Sequence, residues 1–178
     1  IKSEELIFGN GSNEIIELMT RCFARPGDNI VISQHAFLVY LLAGKAVGAE
    51  VRAAPAKDYG HDLAAMAEKV DKKTKLVFIA NPNNPTGGYC DRRSLTKFLQ
   101  KVKDIPVVSD VQAGDYPDTL KLRKQFNNLV TLRTFSKMYG LAGLRIGYGI
   151  GSAKLVQYLN RMRQPFNVNT MAQEAAIA

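Results

Sequence analysis

Four segments of the chain carry residue types and spacings suited to chemistry on a phosphorylated ligand. In TFSKMYGLAGLR, residues 134–145, Lys137 is alone among uncharged neighbours, with Thr134 and Ser136 before it and Arg145 closing the run. A lysine whose surroundings favour the free amine is a Schiff-base nucleophile. Two hydroxyls and a guanidinium fork suit a phosphate. A single lysine is far more often a solvated surface charge, so Lys137 gains meaning only from the other segments.

GNGSNEIIELM, residues 9–19, runs from glycine straight into a helical pattern. Free N–H groups and the dipole at a helix start bind phosphate. Taken alone, a plain N-cap by Ser12 or Asn13 is the better reading. A dinucleotide fingerprint fails twice: Glu14 holds the third glycine position, and the next strand ends in Ser33-Gln34 rather than an acid. NPNNPTGG, residues 81–88, is a rigid turn in which Asn84 can donate an amide hydrogen bond to a ligand oxygen. Asp110 ends an apolar strand, and a carboxylate there needs a partner. A protonated ring nitrogen and a lysine or arginine serve that need equally well. A strand-end lysine, a phosphate cradle and an acid for a ring nitrogen together describe one cofactor, pyridoxal 5'-phosphate.

These segments need elements to position them. NIVIS (29–33), EVRAAPA (50–56), KLVFIA (75–80), IPVVSD (105–110), LVTLRTF (129–135) and LRIGYGIG (144–151) read as strands. Residues 36–49, 61–70, 91–102 and 152–163 have helical spacing. Continuous apolar strands alternating with helices predict an α/β fold, a mainly parallel sheet sandwiched by helices. In such sheets ligands sit beyond the carboxyl ends of the strands. GNGSNE follows LIF, NPNNPTGG follows VFIA, Asp110 follows VVS and TFSK follows VTLR, so every candidate falls on one edge.

The bulk numbers narrow the partners. With 46% hydrophobic and 22% charged residues, the 178-residue chain has the composition of a packed domain. No apolar run approaches the roughly 20 residues of a membrane span. The net charge is +8, but the basic residues are scattered, with no dense basic run interleaved with aromatics. An anionic small molecule therefore fits better than nucleic acid. Cys22 and Cys90 lie far apart with no metal-ligand spacing, as expected of reduced thiols in a cytoplasmic protein, and two histidines are too few for a histidine-rich metal site.

In the order and spacing of GNGSNE, NPNNPTG, Asp110 and TFSKMYGLAGLRIGYG, nearly the whole chain resembles the fold-type I pyridoxal-phosphate-dependent aminotransferases. RQPFNVN (163–169), HAFLVY (35–40) and AKDYGHDL (56–63) are similar to the branch that acts on histidinol phosphate. The resemblance implies that Lys137 binds the cofactor and moves the substrate proton, Asp110 faces the pyridine nitrogen and Asn84 the phenolic oxygen. It gives the phosphate to Ser12, Asn13, Thr134, Ser136 and Arg145, with Gly140 and Gly143 letting the chain turn close to it. His35 stands where the family stacks an aromatic on the ring, and His61 is expected to be structural. The implied reaction passes the amino group of L-histidinol phosphate to 2-oxoglutarate in a cytoplasmic homodimer. Residues 1–163 correspond to the cofactor-binding large domain and 164–178 to the start of a connection to a small domain.

There are departures. After the strand-end aspartate the family reads Asp-Glu-Ala-Tyr, whereas this chain reads SDVQAGDYPDTL. Ala113 stands at the tyrosine's position, and Tyr116, beside Pro117, is a poor substitute. A short segment between Asp110 and Val111 is expected to be missing. The family's N-terminal arm falls before Ile1, and the small domain with its carboxylate-binding arginine falls after Ala178. A decarboxylase of a phosphorylated amino acid, or a domain that binds a phosphorylated ligand without turnover, remain alternative readings.

Overall fold

A computed structural model describes residues 1–111 and 119–178. Its elements run β1 (Leu6–Asn10), α1 (Gly11–Phe23), β2 (Asn29–Ser33), α2 (Leu38–Ala46), β3 (Glu50–Ala54), β4 (Ala56–Lys57), β5 (Gly60–His61), α3 (Leu63–Glu68) and β6 (Thr74–Ala80). They continue with α4 (Arg92–Lys101), β7 (Val107–Val111), α5 (Thr119–Arg123), β8 (Leu129–Thr134), β9 (Ile146–Ile150), α6 (Ala153–Met162) and α7 (Thr170–Ile177). Seven strands form one sheet in the order β1-β9-β8-β7-β6-β2-β3. The neighbours from β8 to β3 are parallel, and β9 is antiparallel to both β8 and β1. The expected mainly parallel sheet between helices is present.

The apolar runs are continuous because the strands are covered on both faces. Ile30 and Ile32 of β2, Leu76 and Phe78 of β6 and Val108 of β7 pack with Ile15, Ile16 and Met19 of α1, Tyr40 of α2 and Leu159 of α6. The alternate residues Val31, Val77, Ile79 and Val107 pack on the other face with Met66 of α3, Leu95 and Leu99 of α4 and Leu122 of α5. This is the period of two that a strand imposes. Each fully buried aliphatic side chain contributes about 1.5–3 kcal/mol.

Three features differ from the sequence reading. Helix α3 begins at Leu63 rather than at 61: Asp62 is its N-cap, accepting from the amides of Ala64 and Ala65 at 3.0 and 2.9 Å. His61 belongs instead to the β4–β5 hairpin, buried, with its Nε2 2.7 Å from the Ala80 carbonyl. It is structural as expected, and burial lowers its pKa. Helices α5 and α7 are short elements that the periodicity did not reveal. Helix α7 packs back on the sheet, Ala172 and Val168 clustering with Ile146 of β9.

The start of the chain is fastened by one ion pair. Arg123 Nη1 donates to Glu5 Oε1 at 2.8 Å and to the Gly151 carbonyl at 3.2 Å, joining the turn before β1 to α5 and to the end of β9. The hydrogen bond from Arg123, then that from the Lys2 amide, lowers the Glu5 pKa from 4.5 to about 2. A carboxylate with a depressed folded pKa adds stability above its unfolded pKa and loses it as pH falls through the folded one. Glu5→Gln should therefore lower Tm at pH 7, with the gap to the unmodified chain closing between pH 4.5 and about 2. Circular-dichroism melts across that range would show it, and a gap independent of pH would contradict the ion-pair assignment.

Candidate active site

The sheet's direction gathers the candidate residues. Strands β1 and β8 are both antiparallel to β9, so they point the same way, and β9 begins where they end. Gly9 pairs with Gly147, which pairs in turn with Thr134, forming a row across three strands at that edge. Ser12 follows the first strand of the row, Ser136 the third, and Arg145 precedes the middle one. Because Arg145 lies before a strand, the rule that ligands sit beyond strand ends could not place it. The reversed course of β9 does.

This corner is tightly built. Gly11 has φ +72°, and a Cβ there would lie 2.5 Å from Arg145 Nη2. A Cβ on Gly147 would lie 2.5 Å from the Ser12 nitrogen. Gly11 N–H donates to the Arg145 carbonyl at 3.0 Å, and Arg145 itself has φ +60°. The close approaches thus fall at Gly11 and Gly147. Gly140 needs its freedom only for φ +66°, and a Cβ on Gly143 would meet nothing. On the third strand, Ser136 N–H donates to Thr134 Oγ1 at 3.0 Å, and Thr134 Oγ1 lies 2.9 Å from Ser136 Oγ. Asn13 sits in the first turn of α1, with its amide donating to Glu17 at 3.2 Å. N–H groups, hydroxyls and one guanidinium, whose Nη1 donates to the Ala142 carbonyl at 3.0 Å, thus gather at one corner, called the cup below, and form a donor set that suits a phosphate dianion. Lys137 stands exposed just beyond it, with no ion pair among the described residues.

Asp110 lies on β7, the strand beside β8, with 1% of its surface exposed. The buried Tyr40 hydroxyl donates to its Oδ2 at 3.3 Å. Tyr40 stacks on Phe78 with ring centroids 4.7 Å apart, and Phe37 meets Tyr40 edge-on at 5.7 Å. Burial first, then the Asp110 charge, pushes the Tyr40 phenol well above its ordinary pKa, so it stays a donor. Sequence reasoning missed Tyr40 as a partner. Its signal was an aromatic with a polar tip on the sheet-facing side of a helix whose only other polar side chain is Lys45 in its last turn.

Two of the three turn asparagines hold the turn itself. Asn81 pairs with the backbone of Cys90 in both directions, at 3.0 and 2.8 Å. Asn83 donates to the His35 carbonyl at 2.9 Å and to Thr86 at 2.7 Å. Asn84 makes no side-chain hydrogen bond among the described residues. The His35 ring lies against Tyr59, centroids 5.6 Å apart, while Phe37 is the ring linked through Tyr40 to Asp110. Strand β7 runs unbroken across Asp110 and Val111, which pair with Leu132 and Arg133. Ala113 and Tyr116 lie outside the described residues.

The full chain, residues 1–178, matches the family model described as aminotransferase class I and II. It is 46% identical over 185 residues to histidinol-phosphate aminotransferase 2 of Pseudomonas fluorescens, covering 100% of this chain and 50% of that protein. It is 49% identical over 181 residues to histidinol-phosphate aminotransferase 2 of Hydrogenovibrio crunogenus, covering 98% and 48%. The crystal structure of histidinol-phosphate aminotransferase from Sinorhizobium meliloti in complex with pyridoxal-5'-phosphate superposes with a TM-score of 0.91 at 25% identity, over 98% of this chain and 49% of that one. The chain thus spans about half the length of these relatives. With a matching family model over its whole length and the site geometry above, the chain belongs to the class I and II aminotransferase family.

Proposed function

We propose that the cup and Asp110 hold pyridoxal 5'-phosphate and that the protein passes the amino group of L-histidinol phosphate to 2-oxoglutarate. The observation that carries this reading is the convergence at one sheet edge of a phosphate donor set, a lysine and a buried carboxylate, on adjacent strands. The relatives' names support the choice of amino donor.

When bound, the cofactor supplies an electron sink for the carbon that loses its proton. The chain's own residues do the rest. Ser12, Asn13, Thr134, Ser136 and Arg145 anchor the phosphate and fix the ring's position. Asp110 would serve the ring nitrogen, and Tyr40 holds that carboxylate in place. Asn84 would donate to the phenolic oxygen. His35, with Phe37 as a second aromatic at the head of α2, would cover the ring. Lys137 Nζ would bind the cofactor aldehyde, releasing water, and would be the group that takes and returns the proton at the substrate carbon. Residues 1–163 form the cofactor domain and 164–178 begin the connection to a small domain. A cytoplasmic homodimer completes the reading, with a tyrosine donor lost where a short segment after Asp110 is missing.

Pyridoxal phosphate followed by borohydride should leave a mass adduct mapped to Lys137; its absence in the intact protein would overturn the proposal. Lys137→Ala should abolish the adduct while retaining non-covalent cofactor binding. Arg145→Ala should keep the adduct at saturating cofactor but weaken affinity by about tenfold or more, the usual cost of losing a charge-assisted bond. Equal effects of both substitutions on adduct and affinity would contradict the division of roles.

Tyr40→Phe isolates the hydrogen bond to Asp110. Removing one donor from a buried carboxylate costs about 1–3 kcal/mol, or several degrees of Tm in a chain of this size. A thermal melt of the cofactor-free protein measures it, and an unchanged Tm would remove Tyr40 from the site.

A further inference from the structure

The motif RQPFNVN, residues 163–169, has no role in the function proposed above, yet it reaches both walls of the phosphate cup. Arg163 ends α6, and its Nη1 donates to Asn167 Oδ1 at 2.8 Å. Asn167 Nδ2 donates to the Phe8 carbonyl in β1 at 3.1 Å and to Glu14 Oε2 at 2.7 Å. The same Glu14 oxygen accepts the Asn10 N–H at 2.6 Å, at the entry to α1. One amide group therefore ties α6, β1 and the first turn of α1 together. Two residues on, Asn169 Nδ2 donates to the carbonyl of Leu144, the neighbour of Arg145, at 3.0 Å. Its Oδ1 accepts from the Ala172 amide at 2.8 Å and caps α7. Val168, between the two asparagines, is buried against Ile146 and Ala172. With polar contacts made by residues 167 and 169 and an apolar one by 168, the motif N-V-N gives two polar hooks around an apolar pin.

The residue before the hooks marks the constraint. Phe166 has φ +58° and 98% of its surface exposed. A bulky side chain in the left-handed region is unfavourable and persists where its surroundings over-determine it. An almost fully exposed ring has no packing of its own to offset this, so the bonds on either side must hold the turn.

We infer that RQPFNVN is a positioning strap. Asn167, acting through Glu14, and Asn169, acting through the Leu144 carbonyl, fix the start of α1 relative to Arg145 and so set affinity for the phosphate. There is a second, electrostatic reason. Glu14 is an acid in the first turn of α1, where free N–H groups attract anions, and it is a natural competitor for the phosphate. Its bonds to Asn10 and Asn167 hold it on the β1 side of the helix start. These residues touch the walls rather than the ligand, so they are positioning residues. The inference rests on the reading of the cup as a phosphate site.

The test is titration of the purified protein with pyridoxal phosphate and, separately, with pyridoxal, which lacks the phosphate. A melt of the cofactor-free protein with and without inorganic phosphate gives a readout independent of turnover. Asn167→Ala should weaken pyridoxal phosphate binding about tenfold, the scale of a lost bond to a charged group. Asn169→Ala, whose bond is solvent-exposed, should do so about threefold. Both should leave pyridoxal affinity within about twofold and should shrink the Tm gain from inorganic phosphate. Adding Glu14→Gln to Asn167→Ala should recover part of the loss, because the competing charge is gone. If both variants bind pyridoxal phosphate like the unmodified protein, or lose pyridoxal and pyridoxal phosphate binding equally, the strap is overturned while the cup stands. If the unmodified protein binds neither pyridoxal phosphate nor inorganic phosphate, the reading of the cup fails, and the strap with it.

Discussion

The reversed course of β9 is the constraint on which the site depends. Neighbouring strands lie about 4.8 Å apart, so β1 and β8, flanking β9, are separated by about 10 Å at the edge where both end. That gap holds the helix start after one strand and the hydroxyls after the other. A parallel strand in the middle would send its own end there and its beginning, with Arg145, to the far side of the sheet. Running backwards, β9 begins at the gap and delivers the guanidinium into it. Gly147 then keeps the middle strand low, since a Cβ there would meet the Ser12 nitrogen at 2.5 Å.

The negative end of the site follows a different logic. Asp110 lies on β7, beside β8, in the interior of the sheet rather than in a loop. A carboxylate in such a place is costly unless donors meet it, and Tyr40 supplies one from the helix above. Tyr40 is in turn held by Phe78 beneath and Phe37 at its edge. The carboxylate is therefore fixed by aromatic packing, while the cup is fixed by backbone approach and hydrogen bonds. The span from β9 across β8 to β7 is again about 10 Å, with Lys137 on the turn that leaves the middle strand. A ligand with a phosphate at one end and a basic ring nitrogen at the other matches that ordering of charge.

Most of the sheet was legible because β2, β6 and β7 are buried on both faces, and burial writes itself into sequence as unbroken runs of Val, Ile, Leu and Phe. The edge carrying the site was legible for the same reason, since the unusual residues all follow such runs. Direction was not legible. IGYGI reads as a strand whichever way it runs, and only its pairing with Leu6–Asn10 and Leu129–Thr134 reveals that Arg145 enters from the site side. The closest backbone approaches were hidden for a related reason. Gly140 and Gly143 follow the lysine in sequence, whereas close approach is a property of space, and Gly11 and Gly147 come from elements far apart in the chain. Tyr40 was hidden because a side chain that is apolar over most of its surface looks like core until the far end of its hydroxyl is known.

The asparagines make the same point about long-range determination. NPNNPTGG offers three amides in four positions, and composition alone cannot rank them. In the fold, Asn81 closes a two-way pairing with Cys90 as a strand would, and Asn83 spans to the His35 carbonyl. An amide side chain carries the donor and acceptor of a peptide group, so it can replace a missing ladder where the chain turns away from the sheet. Asn167 and Asn169 do this again at the other end of the site, on carbonyls of residues 8 and 144. Loops around a ligand cannot pair regularly, yet they must be held to within a fraction of an ångström. Asparagine meets both demands, which is why so many amides near this sheet edge bond to backbone, Asn84 making no such bond among the described residues.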